Sequence, residues 1–274
     1  MIDKADGIID LLFAQVSGRT IAKKVYHEGN SRISSNVRLL TEDTPCYYLI
    51  STGGGFVEGE SYVTKLEVLS GSHVIVKNQT PTYVYKCENE KTTTQKNLVK
   101  LTTGFLEYLT HEVIPYKKAI YEQETIIRMD SVSTLVYSDG VTAGWSEDEQ
   151  VFTFNQLKQK TKIFFEEELV FNDYLFLNPK EQPMTELGYF EGKTNYNTLI
   201  IIDPAIDEEF VHELRVKLSQ QETTLRYGLS LLSVPGIVLR VLGNSAAENK
   251  QLIYSAINYF RAKYHQLPHL NDQI

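Results

Sequence analysis

The sequence predicts a mainly β protein with two α-helices in its C-terminal third. Three observations carry this. The chain holds 17 Tyr and 12 Phe against a single Trp, and flat rings pack well on a half-buried pleated face. Closely spaced stretches alternate apolar and polar residues between turn signals, without the intervening helices of βα units. The two stretches with helix caps and helical stripes both lie late in the chain.

Cys46–Ile50 is a strand-like apolar run. In Gly53-Gly54-Gly55-Phe56-Val57-Glu58-Gly59-Glu60 the glycines predict a turn with positive φ. A phosphate-binding loop is excluded there. No Lys-Ser/Thr follows the glycines, Glu58 sits where the third glycine of a G-x-G-x-x-G register should be, and a strand comes next. From Ser61 to Leu69 the period is two, with Tyr62, Thr64, Leu66 and Val68 on one face. After the Ser70-Gly71 turn, Val74, Val76, Tyr83 and Tyr85 continue it. Further strands are predicted at Leu98–Leu101, Phe105–Leu109, Ala119–Ile127, Leu135–Val141, Val151–Phe154, Lys162–Phe171, Tyr174–Leu177 and Leu199–Asp203. The unsegregated bulky residues Phe164, Phe165, Leu169, Val170 and Phe171 predict burial on both faces, hence stacked sheet layers.

Asp207 is placed to cap a helix that opens with Glu208-Glu209 and buries Phe210, Val211, Leu214 and Leu218. Strands at Leu225–Leu231 and Gly236–Leu242 come next. Ser245-Ala246-Ala247-Glu248 is a capping box. The helix it opens has Leu252, Ile253, Ala256, Ile257 and Phe260 on one face and stops before Pro268. With no linker and no internal repeat, residues 1–274 read as a single domain.

The charge is acidic, with 27 Lys plus Arg against 35 Asp plus Glu. That balance opposes sequence-blind nucleic-acid binding. The longest apolar run has five residues, far short of a membrane span. The acidic start is unlike a signal peptide. Cys46 and Cys87 are too few for a disulfide framework or a zinc ribbon and read as buried apolar residues. A cytoplasmic location is expected.

No G-x-S-x-G elbow and no H-E-x-x-H is present. Pro268 separates His265 from His269, which reads as a surface tail. His73 and His212 read as element-surface residues, and His111 as a hydrogen-bonded structural histidine. The Glu166–Glu168 and Glu147–Glu149 runs read as solvated faces or turns. Glu60, Glu107, Asp139 and Asp173 stand singly among apolar neighbours. Each either reaches water or a basic partner at a strand end, or handles a cation in the interior.

Several motifs in order resemble the urease accessory protein UreD (UreH) family. They are Tyr48–Glu60 with its glycines, the Ser70–His73 turn, Gln79–Lys86, Gly104–Tyr116, Leu135–Trp145, and Ser230–Tyr264 with Val238–Gly243. Glu58 stands where the family has glycine, Glu60 for aspartate, Tyr108 for tryptophan, Thr110 for proline and Trp145 for arginine. The resemblance implies a β-helix-like stack of strands with two helices and a non-enzymatic scaffold. It implies binding to UreF, recruitment of the GTPase UreG through UreF, docking on the urease apoprotein, and nickel passing in transit through an internal acidic tunnel. The implied metal-transit residues are Glu60, Asp139 and Asp173. Scattered carboxylates suit transit, because softer N and S ligands hold nickel more tightly. Two other readings stay open: an adaptor that never touches metal, and a β-rich hydrolase using paired carboxylates.

Overall fold

The computed structural model describes residues 5–37, 39, 42–221 and 223–270. Along the chain the elements are β1 (Gly7–Val16), β2 (Arg19–Gly29), β3 (Ser31–Ile33), β4 (Cys46–Ser51), β5 (Ser61–Val68), β6 (His73–Asn78), β7 (Thr82–Val84), β8 (Thr93–Leu101) and β9 (Phe105–Pro115). Then come β10 (Ile120–Met129), β11 (Thr134–Thr142), β12 (Gln156–Phe165), β13 (Glu168–Leu177), β14 (Asn195–Ile202), α1 (Glu208–Ser219), β15 (Arg226–Leu231), β16 (Gly236–Gly243) and α2 (Ala246–His265).

The chain shuttles between two sheets. β5, β8, β10 and β12 lie parallel in the first sheet. β4, β6, β9 and β11 lie parallel in the second. Each coil crosses from one sheet to the other and returns one strand further along, so the coils stack as in a β-solenoid. The ends of the stack switch to antiparallel pairing. β2 folds back on β1, β13 on β12, β3 on β4, and β14, β16 and β15 extend the second sheet.

Side-chain period fixes what each sheet buries. Leu66, Val68, Val99, Ile127 and Ile163 point inward from the first sheet and meet Leu106, Tyr108, Leu135, Tyr137 and Ile200 of the second. A separate cluster at the other end of the inter-sheet space holds Phe56, Val84, Tyr121, Val141, Phe154 and Leu157. The helices cover the outer face of the second sheet. There Phe210, Leu214, Ile253, Ile257 and Phe260 pack on Leu199, Ile201, Ile237 and Leu239. Only the second sheet is thus buried on both faces, which explains continuous apolar runs such as Leu199–Ile202.

Both helix starts match expectation. Asp207 accepts from the Phe210 amide (2.9 Å) and Ser245 from the Glu248 amide (3.4 Å). α2 ends at Gln266 in the left-handed region, two residues before Pro268. Two strand expectations need correction. Val151–Phe154 is not a strand, and Phe152 has a φ of 57° there. Lys162–Phe171 is not one strand. It is the hairpin between β12 and β13, turning at Glu166 and Glu167, both with positive φ. Leu169 is exposed rather than doubly buried. β1 and β2 appear where the sequence gives weak alternation.

Candidate functional site

A polar belt runs between the two apolar inter-sheet clusters. It arises from register. Thr64, Asn97, Thr125, Thr161 and Asp173 are successive partners across β5, β8, β10, β12 and β13. Tyr62, Gln95, Gln123 and Gln159 form the next row. All point inward by period two, so the rows run along the stacking axis, strand by strand at about 4.8 Å.

The belt is hydrogen-bonded nearly end to end. The Tyr121 hydroxyl lies between Gln95 Oε1 (2.6 Å) and Gln123 Oε1 (3.1 Å). Gln95 Nε2 donates to Asn97 Oδ1 (3.2 Å), and Asn97 Nδ2 donates to Thr125 Oγ1 (3.1 Å). The Tyr137 hydroxyl sits 3.4 Å from Thr125 Oγ1 and donates to Asp139 Oδ2 at 2.8 Å. Thr161 donates to the same Asp139 oxygen (3.4 Å). Buried polar groups need such partners, because each one left unmade costs about 1–3 kcal/mol.

The three expected site residues differ in their surroundings. Asp139, on β11, is buried at 8% exposure, and hydroxyls rather than cations are its hydrogen-bond partners. Burial pushes its carboxyl up to about 6. The hydrogen bonds from Tyr137 and Thr161 and the charge of Arg240 oppose that rise, and the Asp173 charge adds to it. Asp173, on β13, reaches the same belt from the opposite sheet but carries an ion pair to Arg240 (3.1 Å). Glu60 lies at the far rim. It accepts from the Val57 amide (2.9 Å), Asn30 Nδ2 (3.1 Å) and the Tyr62 hydroxyl (2.5 Å). That geometry staples the turn that ends at β5. The belt therefore brings Asp139 and Asp173 together and leaves Glu60 at its edge. Among the described residues, no group of three or more His, Cys, Asp or Glu side chains converges as a metal cage.

Sequence reasoning missed the neutral members of the belt. Their signal was present as a recurrent triplet, Gln95-Lys96-Asn97, Gln123-Glu124-Thr125 and Gln159-Lys160-Thr161, with an apolar residue two positions after each, Val99, Ile127 and Ile163. It is an internal repeat of two inward polar positions per coil.

Other expectations resolve locally. Glu107 is fully buried and takes the basic-partner alternative: its Oε1 pairs with Arg261 Nη1 and with His73 Nε2 (2.9 Å). Burial alone would raise its carboxyl, but the His73 hydrogen bond and the Arg261 charge hold it below the usual range. Arg261 also binds Glu42. His73 is therefore a core-anchoring group, not a plain surface residue. His265 is no surface tail either. It ends α2, contacts the Phe105 ring at 4.7 Å and meets Asp203 Oδ2 at 2.9 Å. His111 lies within β9, with Nδ1 2.6 Å from Lys250 Nζ. Cys46 and Cys87 are buried. Glu58 accepts from the Asn89 and Lys91 amides (2.7 and 2.9 Å) and fixes the loop before β8. Gly54 and Gly59 take positive φ, as the turn reading requires. Trp145 is half-exposed and packs on Tyr116 at 4.7 Å. Among the described residues no helix is long and apolar enough to cross a membrane.

Fold and site together define a β-solenoid-like protein whose two sheets enclose a hydrogen-bonded polar belt with sparse carboxylates. The sequence profile of the UreD urease accessory protein matches residues 5–274. The chain is 44% identical over 272 residues to the urease accessory protein UreD of Streptococcus salivarius (strain 57.I), covering 99% of this chain and 97% of that one. It is 45% identical over 267 residues to the UreD protein of Streptococcus thermophilus (strain CNRZ 1066), covering 97% and 95%. Against UreD of Bacillus sp. (strain TB-90) the identity is 33% over 258 residues, covering 94% of each. The chain belongs to the UreD family of urease accessory proteins, which gives it a role in urease maturation.

Proposed function

We propose that this protein is a non-enzymatic scaffold of urease maturation in the cytoplasm. It joins UreF, and through UreF the GTPase UreG, to the urease apoprotein, and it passes nickel cargo along the polar belt. One observation carries the nickel reading: Asp139 is a buried carboxylate without a cationic hydrogen-bond partner, lined by hydroxyls and facing Asp173. A cation explains such a group better than the apolar core does. Hard oxygen donors, few and separate, bind a divalent ion weakly enough to release it. The elevated proton affinity of Asp139 means that a cation arriving near pH 6 or below must displace a proton.

The double variant Asp139→Ala with Asp173→Ala tests this reading. Urease activation is expected to fall at least tenfold while the variant still assembles with UreF and the apoprotein. Unchanged activation would sink the transit assignment.

A second reading has its own support. Glu60 is saturated by hydrogen bonds, and Asp173 is paired with Arg240. Both favour an adaptor that never touches metal, with nickel carried by the GTPase alone. Nickel retained by the complex of this chain with UreF, in the absence of UreG, excludes the adaptor.

A further inference from the structure

The outer face of the first sheet has a charge unlike that of the chain as a whole. Alternation puts residues 61, 63, 65 and 67 of β5 outward, together with 94–100, 120–128 and 156–164 at every second position on β8, β10 and β12. These positions carry seven basic side chains, Lys65, Lys96, Lys100, Arg128, Lys158, Lys160 and Lys162. They carry three acidic ones, Glu67, Glu122 and Glu124. These four strands thus carry an outward excess of four positive charges, Arg128 being paired with Glu167 of the β12–β13 turn (2.6 Å), on a chain of formal charge −8. At physiological salt, charges separated by more than about 8 Å are screened, so a partner meets this local excess rather than the acidic total.

The excess is concentrated on β12. Lys158, Lys160 and Lys162 share one face, about 6.6 Å apart along the strand. The few acids are divided among them. Glu122 takes Lys158 (2.5 Å), while Glu124 serves both Lys96 (3.6 Å) and Lys162 (3.2 Å). Lys160 lies over the Tyr174 ring at 5.9 Å. Surface pairs of this type are worth about 0–1 kcal/mol and exchange readily for a partner's carboxylates. Tyr174, which is 55% exposed, and Phe176 add aromatic contact area next to the lysines. Protein interfaces favour aromatic anchors, and the lysines around them suit the polar rim that steers a partner of opposite charge. A shallow open trough of about 1180 Å³ lies here, lined in part by Val63, Lys96, Glu124, Lys158, Lys160 and Tyr174.

We propose that this face docks an acidic surface of a partner protein in the maturation assembly. The proposal rests on the scaffold reading for the existence of that assembly. A nucleic acid is the poorer occupant, because three glutamates interrupt the basic field and phosphate neutralisation needs a continuous footprint. A partner protein of mixed but mainly acidic charge can answer both signs.

The test is lysine footprinting of the full chain, free and then assembled with UreF, UreG and the urease apoprotein, using an acetylating reagent read by mass spectrometry. Lys158, Lys160 and Lys162 should be modified at least fivefold less in the assembly. A zero-length carbodiimide should couple them to Asp or Glu of a partner. The variant Lys158→Gln, Lys160→Gln, Lys162→Gln should assemble at least tenfold more weakly, with a flatter salt dependence. An assembly in which these lysines are modified as in the free chain overturns this proposal alone. Failure of the wild-type chain to assemble overturns the scaffold reading and this proposal with it. Protection by a short DNA duplex or by phosphatidylserine vesicles, but not by the partner proteins, also overturns it.

Discussion

Asp139 and Glu107 are both buried carboxyls, and their environments push them in opposite directions. Glu107 has a guanidinium and an imidazole to answer its charge. Asp139 has hydroxyls, a neighbouring carboxylate and the charge of Arg240, which is itself ion-paired to Asp173. The folded state therefore holds the Asp139 proton more tightly than the unfolded chain does. Its contribution to folding stability falls as pH rises from about 4 to about 6, then stays low. A shift of this size, from 3.8 to about 6, corresponds to about 3 kcal/mol at most. Asp139→Asn is expected to stabilise the protein by about 2 kcal/mol at pH 8, with the gain vanishing below pH 4. Urea unfolding at the two pH values measures it, and equal stabilities at pH 8 would show that the buried charge costs nothing. For Glu107 the sign reverses. Its stabilisation is present above the usual carboxylate range and is lost as pH falls through its depressed value. Asp139 could be singled out from sequence because an isolated acid between apolar residues is visible there. The Arg240 partner of Asp173 could not, since nothing local links β13 to β16.

At the scale of elements, α2 is held by more than its apolar stripe. Its last turns place Arg261 between Glu107 of β9 and Glu42, and His265 against Asp203 at the end of β14. Phe105 lies between the two histidine rings, 4.0 Å from His73 and 4.7 Å from His265. Removing one member of a buried ion pair leaves an uncompensated charge. Arg261→Ala is therefore expected to cost about 3–5 kcal/mol, measured by chemical denaturation, and Glu107→Gln should cost less. A loss below about 1 kcal/mol for Arg261→Ala would mean that water reaches the carboxylates. The helices were legible because caps and stripes are local signals. The hairpin of β12 and β13 was not, because its turn uses Glu166 and Glu167 with positive φ where glycine or asparagine would normally announce a turn. β2 escaped notice because it is an edge strand, mostly exposed, with Lys23 and Lys24 in its middle. Such edge charges obscure the pattern and protect the edge from pairing.

The whole molecule is a short stack of coils closed by antiparallel hairpins, with helices on one outer face and a basic sheet surface on the other. Its mainly β class followed from composition and spacing, and the stacked-coil architecture from the resemblance of several ordered motifs. The belt itself depended on register between strands as much as 36 positions apart, as Gln123 and Gln159 are. The Q-x-N/T triplet that marks it is uncharged at its two inward positions and recurs at Gln95, Gln123 and Gln159. That triplet suggests the most direct test, because it alters the belt without touching a carboxylate. Asn97→Leu with Thr125→Val replaces two central belt positions with apolar side chains of similar size. Urease apoprotein would be reconstituted with UreF, UreG, nickel and either the wild-type or the variant chain, and nickel bound per urease active site would be counted. Nickel incorporated is expected to fall at least fivefold, with assembly intact. Full nickel occupancy in an assembly carrying the sealed belt would contradict it.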